Sequence, residues 1–224
     1  MIRSVLFDFN GVILDDETVH RDLFTQVLAP HGVPLTPEDY ETLYLGMDDR
    51  GCLSTAWEAA KKRAIPESTL RELIEAKSRL YEKRMTEGLP LYEGASSLIR
   101  ELAGRVPLGI VSGALRPEIL HALDKNGLGD LFAFVVSAED TIHGKPHPEG
   151  YQKAYRLLID HGLHTGGPHE VAVIEDSVQG ISAAREAGMK TVGVGHTYPL
   201  SQLRDADRTV AHIRLLTADS ILSL

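Results

Sequence analysis

The segment VLFDFNGV, residues 5–12, is the most informative stretch of this chain of 224 residues. An apolar run of β-forming residues ends at Asp8, and Phe9, the amide residue Asn10 and Gly11 follow it. In α/β proteins, ligands bind at the carboxyl ends of buried parallel strands. A carboxylate in such a place is costly to bury unless a metal or a hydrogen-bond network compensates its charge. Asp8 is therefore a candidate functional residue.

Further strand-like runs follow along the chain, and segments with helical spacing separate them. The runs are continuous in Val, Ile, Leu and Phe, as is typical of strands buried on both faces. One helical stripe consists of Ala95, Leu98, Ile99 and Leu102. This alternation predicts an α/β domain with a doubly wound parallel sheet, a Rossmann-like core. The predicted strands are residues 3–9, 107–111, 133–136, 171–175 and 191–194.

The stretch between residues 15 and 88 breaks this alternation, since it contains helical patterns and no good strand. A helical block between the first strand and the rest of an α/β domain indicates an inserted subdomain. The chain would cross into and out of it at residues 11–16 and 88–94. We therefore predict an α/β core of residues 1–14 and 89–224 and a helical domain of residues 15–88.

Composition excludes some classes of function. The net charge is -9, from 23 Lys and Arg against 32 Asp and Glu, whereas nucleic-acid and anionic-membrane binders need basic surface. The single cysteine, Cys52, allows no internal disulfide and fits a reducing compartment. No apolar run approaches the roughly 20 residues that span a bilayer, and no signal-peptide pattern is present. We expect a soluble cytoplasmic protein, a monomer or a weak dimer.

Two motifs after predicted strands carry groups that can bind phosphate. Ser112 and Gly113 directly follow a strand, where a hydroxyl can donate to a phosphoryl oxygen beside the N–H groups of a helix start. Taken alone, such a pair is more often a turn or a helix cap. Lys145 stands between Gly144 and Pro146, and proline fixes the loop that presents its charge. A solvated loop lysine is the competing interpretation.

Two adjacent acids, Glu175 and Asp176, end the apolar strand at residues 171–175. Neighbouring carboxylates form a hard oxygen site of the kind that Mg²⁺ takes. Helix capping by Asp176 or Ser177 would explain one of these polar residues but not the glutamate before them. The sequence therefore predicts a metal site at this strand end.

These motifs, in this order, resemble those of haloacid dehalogenase superfamily phosphatases. Residues 8–12, DFNGV, are similar to the first motif of that family, in which Asp, any residue, Asp and Gly are usual. The resemblance covers essentially the whole chain. It implies that Asp8 is the phosphoryl-accepting nucleophile and that Lys145 neutralises it and the transferring group. It also implies that the helical insertion is a cap that closes over the site.

The same resemblance implies a Mg²⁺ site. Its ligands would be the Asp8 carboxylate, the Asn10 main-chain carbonyl and Asp176, with Glu175 as a ligand or an outer-shell acceptor. Asn10 stands where the family usually has a second Asp, the general acid/base. An amide keeps the main-chain ligand but removes proton transfer, which is typically worth ~10²–10⁴ in rate.

Further substrate-binding candidates are His20, Arg50 and Arg116. His20 opens the first helical pattern of the insertion, and residues 46–50 stand where cap specificity loops lie in the resembled family. Arg50 could bind an anionic substrate tail, and Arg116 follows the Ser112 motif. For each of them, packing or a surface ion pair is the competing interpretation. The remaining lysines of the insertion are interpreted as ordinary helix-face residues: Lys61, Lys62, Lys77 and Lys83.

We therefore expect a Mg²⁺-dependent phosphatase-like hydrolase that acts on a small phosphorylated metabolite through an aspartyl-phosphate on Asp8, with its activity reduced by Asn10. A β-phosphoglucomutase-like phosphomutase shares the cap and the motifs but depends on the missing acid. A phosphonate hydrolase depends on a lysine in the cap, and this counts against it because the lysines of the insertion are interpreted as ordinary helix-face residues. A non-catalytic phospho-ligand binding protein is the alternative from another class. Asn10 supports it, whereas Asp8, Lys145 and Asp176 favour retained chemistry.

Overall fold

Two units divide the chain, and we call them the α/β unit and the helical unit. The computed structural model describes residues 1–45, 47 and 49–224. The α/β unit consists of Met1–Asp15 and Leu89–Leu224, and the helical unit consists of Asp16–Gly88. Within the described residues, no helix has both the length and the apolar character that crossing a membrane requires.

A parallel six-stranded sheet forms the centre of the α/β unit. Its strands are β1 (Ser4–Phe7), β2 (Leu108–Val111), β3 (Phe134–Val136), β4 (Val171–Glu175), β5 (Lys190–Val194) and β6 (Arg208–Val210). Their order in the sheet is β3-β2-β1-β4-β5-β6, so that β1 pairs with both β2 and β4. Leu6, for example, lies opposite Gly109 on one side and Val173 on the other. The carboxyl ends of β1, β2 and β4 are therefore neighbours at one edge of the sheet.

The structure confirms the predicted α/β fold. Each of the five predicted strands is present, and its ends differ from the prediction by at most two residues. All residues of β1, β2 and β4 are buried, which explains why their sequences are continuous apolar runs. The prediction missed β6, which is a three-residue edge strand with half-buried side chains. Such a short segment needs no apolar run and leaves no pattern to detect.

The helical unit has its own apolar core. Its helices are α1 (Glu17–Leu28), α2 (Pro37–Asp39), α3 (Asp49–Lys61) and α4 (Glu67–Glu87). A π-helical turn, Tyr40–Tyr44, continues from α2. Phe24 and Leu28 of α1 share the core with Leu53 of α3 and Leu70 of α4. The unit begins at Asp16, whereas the sequence analysis places the start of the insertion at residue 15.

Helices on the α/β unit cover the sheet and begin beyond its strand ends. They are α5 (Ala95–Ala103), α6 (Arg116–Lys125), α7 (Glu149–Asp160), α8 (Val178–Glu186) and α9 (Ala218–Leu222). Tyr151 and Leu158 of α7 and Ala184 of α8 pack with Leu6 and Val173 of the sheet. The loops between these strands and helices carry the residues of the candidate site.

Candidate active site

Three buried carboxylates lie together at the carboxyl ends of β1 and β4. Asp8 directly follows β1, Glu175 ends β4, and Asp176 comes next. One oxygen atom of each lies within 4.8 Å of the others. The three residues are 8%, 0% and 5% exposed, respectively. We call these three acids, with the lysine described next, the carboxylate cluster.

Lys145 brings one positive charge to this cluster. Its Nζ lies 2.8 Å from Asp8 Oδ1 and 2.5 Å from Glu175 Oε1. Burial lowers the pKa of Lys145, but the charges of Asp8 and Glu175 outweigh it and hold that pKa well above its ordinary value. The ammonium group is therefore charged at neutral pH. One ammonium group against three carboxylates leaves an excess of negative charge when all the acids are ionised.

Two of the three acids, Asp8 and Asp176, are difficult to ionise in this cluster. Burial, with the charge of Glu175, raises the pKa of Asp8 to about 6 despite Lys145. Burial and the charges of Glu175 and Asp8 raise the pKa of Asp176 well above its ordinary value. A bound cation would lower both values, because a nearby opposite charge favours the ionised form. Buried carboxylate oxygens with unbalanced negative charge are a donor set that fits Mg²⁺.

Glu175 is held on both of its carboxylate oxygens. Oε1 accepts hydrogen bonds from Lys145 Nζ and from the Tyr151 hydroxyl, the latter at 2.9 Å. Oε2 accepts from the Asp176 amide at 3.1 Å and from the amide and hydroxyl of Ser177 at 3.1 and 2.8 Å. This bonding suits an outer-shell acceptor better than a metal ligand. Tyr151 gives no functional signal in the sequence because it belongs to an apolar helix stripe.

The chain turns tightly after Asp8. Gly11 has a φ of +73°, and its N–H donates to the Leu14 carbonyl at 3.0 Å. A Cβ atom on Gly11 would lie 2.0 Å from Asp176 Oδ2. Glycine is therefore required both for the positive φ and for the close approach of the acid. Asn10, half-buried, stands directly before this turn.

Two residues after β5 hold this turn and Asp176, and the sequence analysis missed both. His196 donates from Nδ1 to the Gly11 carbonyl at 2.7 Å and accepts on Nε2 from the Ile213 amide at 3.1 Å. Burial lowers the pKa of His196 to about 4, so the ring is neutral. Thr197 Oγ1 donates to Asp176 Oδ2. The signal that could have found them is a polar pair shortly after a buried strand.

A cavity of about 300 Å³ lies within the α/β unit beside these residues. Its lining includes Ser112, Gly113, Lys145 and Tyr151. Ser112 is 8% exposed, and its Oγ accepts a hydrogen bond from the Ala114 amide at 3.1 Å. The hydroxyl thus caps the following turn, and its own proton remains available as a donor. The structure therefore brings the second and third motifs to one cavity.

Arg116 makes its hydrogen bonds to β3 and to the loop that follows it, within the α/β unit. Its guanidinium group donates to Asp140 and, at 3.1 Å, to the Val135 carbonyl. Its main-chain N–H also donates to the Glu139 carboxylate, at 3.1 Å to the nearer oxygen. These bonds tie the start of α6 to the end of β3. They account for Arg116 without any phosphate.

Arg50, in the helical unit, forms a two-pronged ion pair with Glu67. Both nitrogen–oxygen distances are 3.0 Å, and both side chains are more than half exposed. The surface ion pair was the competing interpretation for this arginine. Of the expected specificity loop at residues 46–50, Gly46 and Asp48 lie outside the described residues.

His20 belongs to a second polar cluster, which lies within the helical unit. Its Nδ1 accepts from Lys77 Nζ at 2.8 Å, and its Nε2 donates to Asp16 at 3.0 Å. Tyr81 stacks on the imidazole with ring centroids 4.8 Å apart and donates to Asp16, and Lys77 also donates to Asp49 at 2.5 Å. We call these five residues the His20–Lys77 cluster. The interpretation of Lys77 as an ordinary helix-face residue is wrong, since it is 2% exposed.

Known proteins resemble this chain in sequence and in structure. A phosphorylated carbohydrates phosphatase of Thermotoga maritima is 28% identical over 197 residues, covering 88% of this chain and 87% of the relative. A validoxylamine A 7'-phosphate phosphatase of Streptomyces hygroscopicus subsp. limoneus is 28% identical over 208 residues, covering 92% of each. The crystal structure of a β-phosphoglucomutase from Clostridium difficile is 26% identical with a TM-score of 0.75, over 100% of this chain and 96% of that one.

The family assignment rests on most of the chain. Residues 5–194 match the family described as haloacid dehalogenase-like hydrolase, and this range runs from β1 to the end of β5. It contains every residue of the carboxylate cluster. The resemblance noted in the sequence is thereby confirmed, and the chain belongs to the haloacid dehalogenase-like hydrolase family.

Proposed function

We propose that this chain is a Mg²⁺-dependent phosphatase-like hydrolase that cleaves the phosphoric monoester of a small phosphorylated metabolite. The observation that carries the proposal is the position of Asp8, 2.8 Å from a charged lysine and beside two further buried carboxylates. Such an arrangement is costly for the fold, and a site that only binds anions has no use for a carboxylate at its centre. The phosphatase relatives support the same reaction class.

In the proposed reaction, an Asp8 oxygen attacks the phosphorus atom as the bond to the leaving oxygen breaks. An aspartyl-phosphate forms, water then attacks its phosphorus atom, and the Asp8 carboxylate and inorganic phosphate are released. Lys145 offsets charge on the transferring group. The Ser112 hydroxyl and the Gly113 amide line the cavity, and both can donate hydrogen bonds to phosphoryl oxygens.

The metal ion would be held by Asp8 and Asp176, with the Asn10 main-chain carbonyl as the third ligand that the family resemblance implies. It would supply positive charge beside the phosphoryl group and keep both acids ionised. Glu175, bonded on both oxygens, orients Lys145 and the Asp176 amide rather than binding the ion. Thr197 orients Asp176.

Asn10 restricts which phosphate esters this site turns over quickly. A leaving alkoxide needs a proton in the transition state, and an amide cannot supply one. An acyl or aryl phosphate loses a better leaving group and needs less help. We therefore expect slow hydrolysis of alkyl phosphates and faster hydrolysis of activated ones.

The inserted segment Asp16–Gly88 is proposed to act as the cap because of its position in the chain. It is inserted between β1 and β2, directly after the turn that follows Asp8. In such a role it would exclude bulk water during the reaction and select the substrate.

A phosphomutase is the second candidate, because the β-phosphoglucomutase structure is similar over nearly the whole of both chains. A mutase must pass a phosphoryl group back from the aspartyl-phosphate to a sugar hydroxyl, and deprotonating that hydroxyl requires a base. Asn10 cannot serve as that base. Hydrolysis of the aspartyl-phosphate has the same need, but water is always present in excess, so slow hydrolysis remains the better supported reaction.

The test is a screen of phosphate release with Mg²⁺ and with EDTA, across sugar phosphates, phosphoglycolate, aryl phosphates and acyl phosphates. The screen includes Asn10→Asp and, as the matched control, Asn126→Asp, in which the amide lies on the far end of α6. Mg²⁺-dependent release that Asn126→Asp leaves unchanged supports the proposal. Conversion of β-glucose 1-phosphate to glucose 6-phosphate without phosphate release would indicate the mutase. No turnover by any form would indicate a binding protein.

A further inference from the structure

The loop that carries Lys145 also carries two exposed histidines outside the carboxylate cluster. His143 and His147 lie on either side of Lys145 in the chain, and their ring centroids are 4.6 Å apart. Glu149 begins α7 directly after them. One nitrogen or oxygen atom of each of these three residues lies within 4.8 Å of the others. No step of the proposed phosphatase reaction uses them.

Glu149 fixes the orientation of the first imidazole. Its Oε1 accepts from the Ile142 amide at 2.9 Å, and its Oε2 accepts from the His143 amide at 3.0 Å and from His143 Nδ1 at 3.0 Å. These hydrogen bonds, led by that of Ile142, lower the pKa of Glu149 to about 2, so the acid is charged at neutral pH. Since Nδ1 of His143 donates to Glu149, the lone pair of the neutral ring is on Nε2.

The second imidazole also offers a lone pair. His147 Nδ1 accepts from the Glu149 amide at 3.2 Å, at the long end of the usual range for an N–H donor. An amide can only donate, so this nitrogen is unprotonated. A bound cation can replace that long hydrogen bond. The loop thus presents two exposed imidazole rings, with centroids 4.6 Å apart and one lone pair each, beside a charged carboxylate.

We propose that His143, His147 and Glu149 form a second metal site, which takes a borderline cation such as Zn²⁺. Imidazole nitrogens suit Zn²⁺, whereas Mg²⁺ prefers oxygen ligands. A carboxylate that accepts from the far nitrogen of a ligating histidine is the common way in which proteins orient such a ligand. Because the two histidines flank Lys145, the ion would join both sides of the loop that presents this lysine to Asp8.

The experiment is a calorimetric titration of the full chain with Zn²⁺ in a large excess of Mg²⁺, so that Mg²⁺ competes for the oxygen cluster. We expect one Zn²⁺ per chain. His143→Gln and His147→Gln should each weaken binding at least about tenfold. His121→Gln, at an exposed position of α6, is the matched control and should bind as the wild type does. Far-UV circular dichroism checks that each variant is folded.

A second measurement locates the ion. Anomalous diffraction at the zinc absorption edge, from a Zn²⁺-soaked crystal, should place a peak between residues 143 and 147. Asp176→Ala should retain Zn²⁺ binding. The proposal is overturned if no Zn²⁺ binds, if the three histidine variants bind equally, or if Asp176→Ala loses the site, since the last result would assign the ion to the carboxylate cluster. None of these readouts depends on phosphatase activity.

Discussion

Each unit of the molecule places a lysine among acids, and the two clusters differ in their charge balance. In the α/β unit, Lys145 stands against three carboxylates, two of which have raised pKa values. In the helical unit, Lys77 faces two carboxylates: it contacts Asp49, which is partly exposed to water, and His20 links it to Asp16. The first cluster holds two more acids than cations, and all three of its acids are buried, whereas the second holds only one more, and its Asp49 is partly exposed to water. A larger excess of buried negative charge is what we expect of a cation site rather than of a network that only stabilises the fold.

Removing the carboxylate of Asp8 is expected to have the largest effect. Asp8→Ala should lower the rate of p-nitrophenyl phosphate hydrolysis by roughly 10⁴-fold or more, because the nucleophile is lost. Initial rates with Mg²⁺ measure this, and mass spectrometry after acid quenching should detect a phosphate adduct on the wild type only. Asp160→Ala, exposed at the end of α7, is the control and should match the wild type. A rate within tenfold of the wild type in Asp8→Ala would exclude Asp8 as the nucleophile.

Adding a fourth acid to the carboxylate cluster tests the role of position 10. Asn10→Asp should raise the hydrolysis rate of alkyl phosphates by up to roughly 10²–10⁴, the usual size of general acid–base catalysis, and that of aryl phosphates far less. The aspartyl-phosphate should also persist longer in the Asn10 form. Steady-state rates on paired alkyl and aryl substrates measure the difference.

If Asn10→Asp leaves the hydrolysis rates of both alkyl and aryl phosphates unchanged, position 10 is not the site of proton transfer. His20 would then be the first residue to test, through His20→Gln, for the same selective loss on alkyl phosphates. A catalytic His20 would also break the distinction between the two clusters, because the helical unit would then take part in the chemistry.

Removing Lys77 tests whether the helical cluster stabilises the fold. Lys77→Met should lower the free energy of unfolding by about 3 kcal/mol, because it leaves the buried acid network without its cation. Urea unfolding followed by circular dichroism measures this. Lys83→Met, exposed on the same helix, should stay near the wild-type value. Equal stability of the two variants would show that the buried ion pair contributes little.

The smallest effect concerns pH and the metal-free protein. Because the pKa of Asp8 is raised to about 6 in the folded state, the folded chain binds more protons than the unfolded chain between pH 4 and 6. Stability therefore falls as the pH rises through this window, and the cost is fully present above pH 6. The penalty that Asp8→Asn removes should grow by about 2 kcal/mol between pH 4 and pH 8.

Urea unfolding with EDTA at several pH values measures this penalty. Mg²⁺ at pH 8 should stabilise the wild type and have a smaller effect on Asp8→Asn, because the ion compensates the charge that the substitution removes. If Asp8→Asn destabilises the metal-free protein at pH 8, the carboxylate cluster is balanced without a cation, and the contrast with the helical unit disappears.

The residues of the carboxylate cluster could be recognised in the sequence because they stand at the ends of strand-like apolar runs or in a loop. Asp8 and Glu175 end apolar runs, and Lys145 is flanked by glycine and proline. Parallel pairing of β1 with β4 then brings the ends of these two runs to one edge of the sheet. Both the α/β fold and the choice of Asp8 as a candidate could therefore be inferred before the structure was known.

Lys77 could not be recognised in this way. It lies in the middle of α4, where nothing in the neighbouring sequence distinguishes it from the exposed lysine at position 83. Its burial depends on packing against α1, whose Phe24 ring centroid lies 4.3 Å from Lys77 Nζ. Contacts between helices fix such a position, and these depend on side chains more than fifty residues apart in the chain.

The hydrogen bond from His196 to Gly11 has a consequence for how the protein is made. It joins residues 185 positions apart, and both sheet neighbours of β1 also come later in the chain. During synthesis on the ribosome, the turn after Asp8 emerges early but lacks its supports until β4, β5 and Ile213 have followed. The helical unit, whose core comes from one continuous segment, can fold well before then. A chain that still lacks residues 171–213 would thus carry a folded insertion and no assembled acidic site.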